Sequence, residues 1–393
     1  MNPSIIKSLL AAAAVGALTL GGASNNARAS YEPVSSSYTV STSTLNINFE
    51  GGFSVNSGTA YLWSPFPGTT SPTGTAGYNT ANVSTGDTVI VSSATLNGDG
   101  GDPFGLYASG TFYAGTYTGT DDPAGGLYYY NTTSGTFTPL ADFEGLYSAA
   151  SNPSGTVFVA GLNEAWTGTY GQNTVIAVYN SGSFKPIIQA VGNSAGVAFD
   201  NSGNLYYASY ADTTGTTPCY LYKWSADDVS TATGTSGTIL PLSSGTVLGV
   251  LPVDSYGANG VAVDAGGNVF VASNGSDDDS NGIFVWAATS TVGAPLTQFA
   301  YLTPTTGAPY DWAGFLVASG TVLEGSGTLY LGSSGGLRDL TAITYSGGGK
   351  ALKATVAKNA VKTKTLSVKQ PKATSNRDAH HQIIKAHNSK VRK

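Results

Sequence analysis

Histidine is missing from almost all of this chain. His380, His381 and His387, the only three, lie within the last 14 of its 393 residues. Cys219 is the single cysteine. A Ser-His-Asp triad, a Cys-His pair and a histidine-based zinc site are therefore excluded from the body of the protein. One thiol allows no internal disulfide, so the fold must be held by burial alone. Charge is scarce too, at 10% of residues, against roughly 25% in an average soluble chain. After residue 29 no apolar run is long enough to span a bilayer. Any reaction in the body must rest on carboxylates, tyrosine, lysine or a hard cation.

Glycine (52 residues), serine and threonine fill the place of the missing charges. Hydrophobic residues reach 41%, enough for a sizeable core. Many short strands joined by glycine-rich turns have this composition. The 23 Tyr, 14 Phe and 5 Trp are too many aromatics for a disordered chain. The start reads as a secretory signal: Lys7, a largely apolar run from Leu9 to Leu20, then the A-x-A site Ala27-Arg28-Ala29. A membrane anchor is the alternative reading of that run. The expectation is a signal peptide over 1–29, a β-domain over 30–349 and a basic tail over 350–393. The mature protein is then secreted, periplasmic or at the cell surface, and export without disulfides suggests a bacterium.

Charge is divided along the chain. From Tyr31 to Gly349 only Lys185, Lys223 and Arg338 are basic, against 22 acids, a formal −19. From Lys350 to Lys393 there are 12 basic residues against Asp378 alone, a formal +11. The tail has few apolar residues and no clear period, so mostly disordered chain is expected there. It is suited to electrostatic contact with an anionic surface, or to lying across the acidic body; a bare solvated tail is equally consistent. Nucleic acid is a poor partner for an exported −19 body. A monomer is expected.

One pattern recurs six times: Gly, then Thr or Asn, any residue, then an aromatic. It begins at Gly58, Gly110, Gly155, Gly203, Gly267 and Gly327, at intervals of 52, 45, 48, 64 and 60 residues. Four-stranded propeller blades need about 40 to 50 residues each, and longer loops explain the excess. Two residues after the aromatic comes Gly115, Ala160, Ala208, Ala272 or Gly332, with Trp63 as the exception. Residues two apart on a strand share a face. The opposite face is apolar as well, as in Val157 and Val159, Val269 and Val271, Leu329 and Leu331. A strand apolar on both faces is covered on both faces, as in radially packed blades. A third strand ends in Tyr130, Tyr179, Trp224, Trp286 or Tyr345, and a fourth usually follows. After Tyr345 comes Ser346-Gly347-Gly348-Gly349 and then the tail, so the last blade lacks its outer strand. The segment Tyr38–Phe49 is predicted to supply it and close a six-bladed, all-β propeller.

Two stretches, Ala195–Tyr206 and Asn259–Phe270, carry a Gly, alternating apolars, an Asp, a Gly-Asn turn and an aromatic strand. They resemble NHL-type repeats and, more distantly, the gluconolactonase-like six-bladed propellers. That resemblance implies the fold. It also implies, for the lactonase-like members, calcium held by Asn or Asp just before such a Gly. Asn259 matches that placement, whereas Ala195, Phe104 and Ala313 stand in the corresponding places elsewhere. The ligand pattern is therefore not retained.

The loops after each second strand and those entering each first strand should share one rim. Thirteen of the 22 acids fall there, including Asp277, Asp278 and Asp279 in Asn274–Asn281. Clustered oxygens suit calcium, although oxygen-rich loops are also ordinary turn chemistry. Trp166, Tyr170, Tyr256, Tyr310 and Trp312 fall on the same rim. Aromatics beside carboxylates can stack on and hydrogen-bond sugar rings, or can cap blade ends. The favoured reading is a non-catalytic module binding a carbohydrate or protein through Trp166, Tyr256, Tyr310 and Trp312. The alternative is a calcium-dependent hydrolase or lyase using carboxylates at the central channel, with Asn259, Asp277, Asp278 and Asp279 as metal ligands. A third reading is a structural surface protein anchored by its tail.

Overall fold

The computed structural model describes residues 30–45, 47, 51–64, 77–94, 96, 104–116, 126–143, 146–162, 173–191, 196–210, 219–252, 255–275, 281–303, 314–332 and 339–347. They form six sheets, each built on a four-stranded antiparallel meander. Blade 1 is Ser54–Asn56, Thr59–Ser64, Gly77–Asn82 and Thr88–Ser93; blade 2 is Phe104–Ala108, Thr111–Gly115, Gly126–Asn131 and Thr136–Asp142. Blade 3 is Leu146–Ser151, Val157–Leu162, Asn173–Asn180 and Ser183–Val191; blade 4 is Val197–Phe199, Leu205–Tyr210, Cys219–Trp224 and Thr246–Val250. Blade 5 is Ser255–Val263, Val269–Gly275, Gly282–Trp286 and Thr297–Thr303. Blade 6 takes Leu316–Ser319, Thr328–Gly332 and Asp339–Tyr345 from the end of the propeller, and Tyr38–Thr44 from its beginning. The chain is a six-bladed β-propeller.

The repeat occupies the second strand of every blade. Five of its six leading glycines, all but Gly327, adopt positive φ, for example +81° at Gly110 and +78° at Gly267, because the hairpin turn needs a left-handed residue there. The strands that follow are buried on both faces, and Val269, Phe270, Val271 and Ala272 are wholly inaccessible. The buried apolar residues sort into six clusters, one at each junction of neighbouring blades, and the cluster between blades 6 and 1 also takes in Tyr147 of blade 3. One cluster joins Leu45, Ile47, Phe53 and Leu62 with Phe315 and Leu340, so blades 6 and 1 are packed as the other pairs are. Sheet-on-sheet packing all round the ring lets burial hold the fold of a chain whose single cysteine allows no internal disulfide.

Closure is made by pairing Tyr38–Thr44 antiparallel with Asp339–Tyr345, from Tyr38 opposite Tyr345 to Thr44 opposite Asp339. Tyr38 anchors it. Its ring meets Phe299 and Tyr345 edge-on, at centroid distances of 4.9 and 5.3 Å. Its hydroxyl accepts a hydrogen bond from the Glu324 N–H, and burial pushes the phenol up to about 12.

Three features were not legible in the sequence. Ser30–Pro33 pairs with Thr297–Thr303 as a fifth strand of blade 5. Ala294–Pro295 runs parallel to the outer strand of blade 4. A helix, Ala226–Thr233, fills the long interval between the third and fourth strands of that blade. Ser225 caps it, and the Asp228 side chain bonds back to the Ser225 backbone. It buries only Val229 and Ala232, too short an apolar stripe to announce a helix.

Candidate functional site

The strand directions give the ring two different ends. Hairpins between first and second strands lie at one, together with the third-to-fourth connections, which in blade 4 include the helix Ala226–Thr233. From the other, loop-bearing end depart the segments that join second to third strands and those that lead into the next blade. By chain position, the loop residues singled out from the sequence fall in segments of the second kind. Trp166 falls between Leu162 and Asn173, Asp277, Asp278 and Asp279 between Gly275 and Gly282, and Tyr310 and Trp312 between Thr303 and Gly314. Those six, with Tyr170, lie outside the described residues. Tyr256 is on the strand Ser255–Val263, but its side chain also lies outside them.

The structure does describe the throat beneath that end. Strand pairing aligns the six first strands into two stacked rings of lining residues. The first ring is Gly52, Phe104, Ser148, Gly196, Gly260 and Phe315; the second is Phe53, Gly105, Ala149, Val197, Val261 and Leu316. The glycines are there because neighbouring first strands touch backbone to backbone. A Cβ on Gly196 would sit 2.2 Å from the Val261 nitrogen, and one on Gly260 would sit 2.9 Å from the Leu316 nitrogen. Gly105 N–H donates to the Gly52 carbonyl across the boundary of blades 1 and 2 at 2.8 Å. The remaining space is about 40 Å³, room for a few waters, far below the roughly 300–1,000 Å³ of ligand pockets. Ser148 is the one hydroxyl in the two rings, and no carboxylate lines them.

Asn259 stands one residue from this throat, half-buried beside Gly260. Gly51, Tyr147 and Gly314 take its place in blades 1, 3 and 6 by strand register. Phe104 and Ala313 therefore do not correspond to Asn259, each being displaced from that position by one residue. The glycine of blade 2 stands in the second ring, and pairing puts Phe104 itself in the first. A bulge between Ala258 and Gly260 adds to the offset. Among the described residues no group of three or more His, Cys, Asp or Glu side chains could hold a metal ion.

At the hairpin end the Asp-x-x-Gly-Asn motif proves to be stitching. Asp200 accepts from the N–H groups of Ser202 and Asn204, the Asn204 amide and the Tyr206 hydroxyl. Burial acts to raise its pKa, but these hydrogen bonds prevail and hold the carboxyl below its ordinary range. Tyr206 is pushed the other way, by burial and by the neighbouring Asp200. The Asn204 side-chain oxygen Oδ1 then accepts from Ala226 N–H, and Asn268 Oδ1 does the same for Ala288. The motif thus ties the first hairpin to the end of the third strand. A groove of about 370 Å³ opens at this end between blades 3 and 4, lined by neutral residues such as Asn152, Ser154, Asn201 and Ser230.

No protein-family model matches the chain, and no curated protein matches it in sequence. Solved structures do. The PQQ domain of pyranose dehydrogenase from Coprinopsis cinerea superposes with a TM-score of 0.53 at 10% identity, over 81% of this chain and 97% of that one. The PQQ-bound aldose sugar dehydrogenase from Streptomyces coelicolor gives 0.50 at 12% identity, over 81% and 98%. A gluconolactonase from Xanthomonas campestris gives 0.47 at 10% identity, over 83% and 98%. At these identities the shared property is the fold, which hosts unrelated functions.

Proposed function

We propose that this protein is an exported, non-catalytic binding module that takes a carbohydrate or protein ligand at the loop-bearing end of the propeller. The throat carries the argument. With about 40 Å³ of space and no carboxylate in its walls, it leaves a ligand no place inside the ring. Recognition is left to the ends. By chain position Trp166, Tyr256, Tyr310 and Trp312, with 13 of the 22 acids of residues 31–349, are expected at the loop-bearing end. Aromatic faces stack on sugar rings while carboxylates accept their hydroxyls, and the absence of histidine from residues 30–349 removes the commonest proton-transfer group.

The test is titration calorimetry against a panel of neutral and basic oligosaccharides. Binding is expected, and Trp166→Ala or Trp312→Ala should weaken it about five- to tenfold, the loss of a stacking contact worth roughly 1–1.5 kcal/mol. The second reading, a calcium-dependent hydrolase or lyase, is favoured by the position of Asn259 beside the throat. It would displace the first if calcium alone raised the melting temperature by several degrees and lactone turnover were lost with a chelator.

A further inference from the structure

Five of the six outer blade edges are covered or broken, or are themselves borrowed strands. Blade 5 is covered by Ser30–Pro33 and blade 4 by Ala294–Pro295. Blade 3 carries Lys185 and Pro186 in its outer strand, and Leu240 bonds to Ile187 and Gln189 along that edge. Blade 2 has Pro139 at a bulge. The outer strand of blade 6, Tyr38–Thr44, is brought in from the start of the propeller, and its Ser43 hydroxyl donates to Val83 of blade 1. Proline, lysine, bulges and covering strands are the usual protections of a sheet edge.

Among the described residues blade 1 has no proline, lysine or covering strand at this edge, only a bulge at Val91. Its outer strand, Thr88-Val89-Ile90-Val91-Ser92-Ser93, is uncharged, proline-free and mostly β-branched. Val89 is 61% exposed and Val91 39%, against Val40 alone at 37% on the outer strand of blade 6. Such an edge offers a row of backbone donors and acceptors whose natural complement is another strand.

We propose that this edge receives a strand from the chain's own C-terminal segment, Val361-Lys362-Thr363-Lys364-Thr365-Leu366-Ser367-Val368. Three observations select that occupant. Charge is complementary: the segment belongs to a stretch of formal +11, the body is −19, and exposed Asp87 stands at the start of the blade 1 strand. Reach is sufficient: Gly347 lies in blade 6, next to blade 1, and the 13 residues from 348 to 360 can extend about 40 Å. The chain already does this elsewhere, since its first described residues supply outer strands to blades 5 and 6. The segment's valines and threonines favour strand, and its lysines would blunt the new edge. A second copy is the poorer occupant, because it would bring −19 against −19.

Hydrogen–deuterium exchange on the full chain tests this. Outward-facing amides of residues 88–93 should exchange at least tenfold more slowly in the wild type than in the double variant Thr363→Pro, Thr365→Pro, at every protein concentration. Deleting residues 350–393 should have the same effect, with exchange in Gly126–Asn131 unchanged. Fast exchange at 88–93 in wild type and variants alike would overturn the proposal. So would protection that survives both changes and rises with concentration, which would mark a second copy.

Discussion

Replacing Asp264 by alanine is expected to destabilise the propeller by about 3–5 kcal/mol, because it removes the shared acceptor of several buried N–H donors at once. Asp264 is 4% exposed. One oxygen accepts from the N–H groups of Gly266 and Asn268, at 2.8 and 2.9 Å. The other accepts from Val322 and Leu323, at 2.8 and 3.1 Å, in the hairpin of the next blade. The Asn268 amide bonds to both oxygens. Alanine would strand four backbone N–H groups, each costing about 1–3 kcal/mol if water cannot reach it. Asp200 has the same motif but is half-buried, and its bonds stay within its own hairpin. Asp200→Ala should therefore cost only about 1–2 kcal/mol. Chemical denaturation of the two variants side by side checks the account. Equal losses would mean that the link to blade 6 contributes nothing.

Removing residues 30–44 should have a larger effect still. The deletion takes the outer strand from blade 6 and the fifth strand from blade 5. It also strips Tyr31 and Tyr38 from the cluster that includes Phe270, Phe299, Leu329 and Ile343. The expected result is loss of the single cooperative unfolding transition, measured by circular dichroism and tryptophan fluorescence in denaturant. Should the truncated chain fail to accumulate, Tyr38→Ala in the full chain reads the same contact. It is expected to cost about 3–5 kcal/mol, the usual range for truncating a large buried aromatic. A wild-type midpoint in either variant would show that the ring does not depend on this closure.

The fold was legible because its main signal is local. Gly-Thr-x-aromatic marks a turn and a strand buried on both faces, and six copies impose six such strands. The closing strand was legible by counting, since the last blade ended at Tyr345 without a fourth strand. What could not be read depends on contacts between distant segments. Ser30–Pro33 has no apolar alternation that assigns it to blade 5. The helix Ala226–Thr233 is held by a cap and two buried side chains. The throat rings needed strand register, because glycine occupies the first ring in blades 1, 4 and 5 and the second in blade 2. The Asp-Gly-Asn motif was visible as a family likeness, but its role as a staple required hydrogen-bond partners 20 to 59 residues away, at Ala226, Ala288, Val322 and Leu323.

The central claim is that ligand is held at the loop-bearing end, above a throat too narrow to admit it. An exchange footprint of the saturated complex tests this most directly. Protection is predicted in the segments around Trp166, Asp277 and Trp312, with the throat residues Ser148, Gly196 and Gly260 unchanged. Protection centred on the throat, or on the groove between blades 3 and 4 at the hairpin end, would contradict the account.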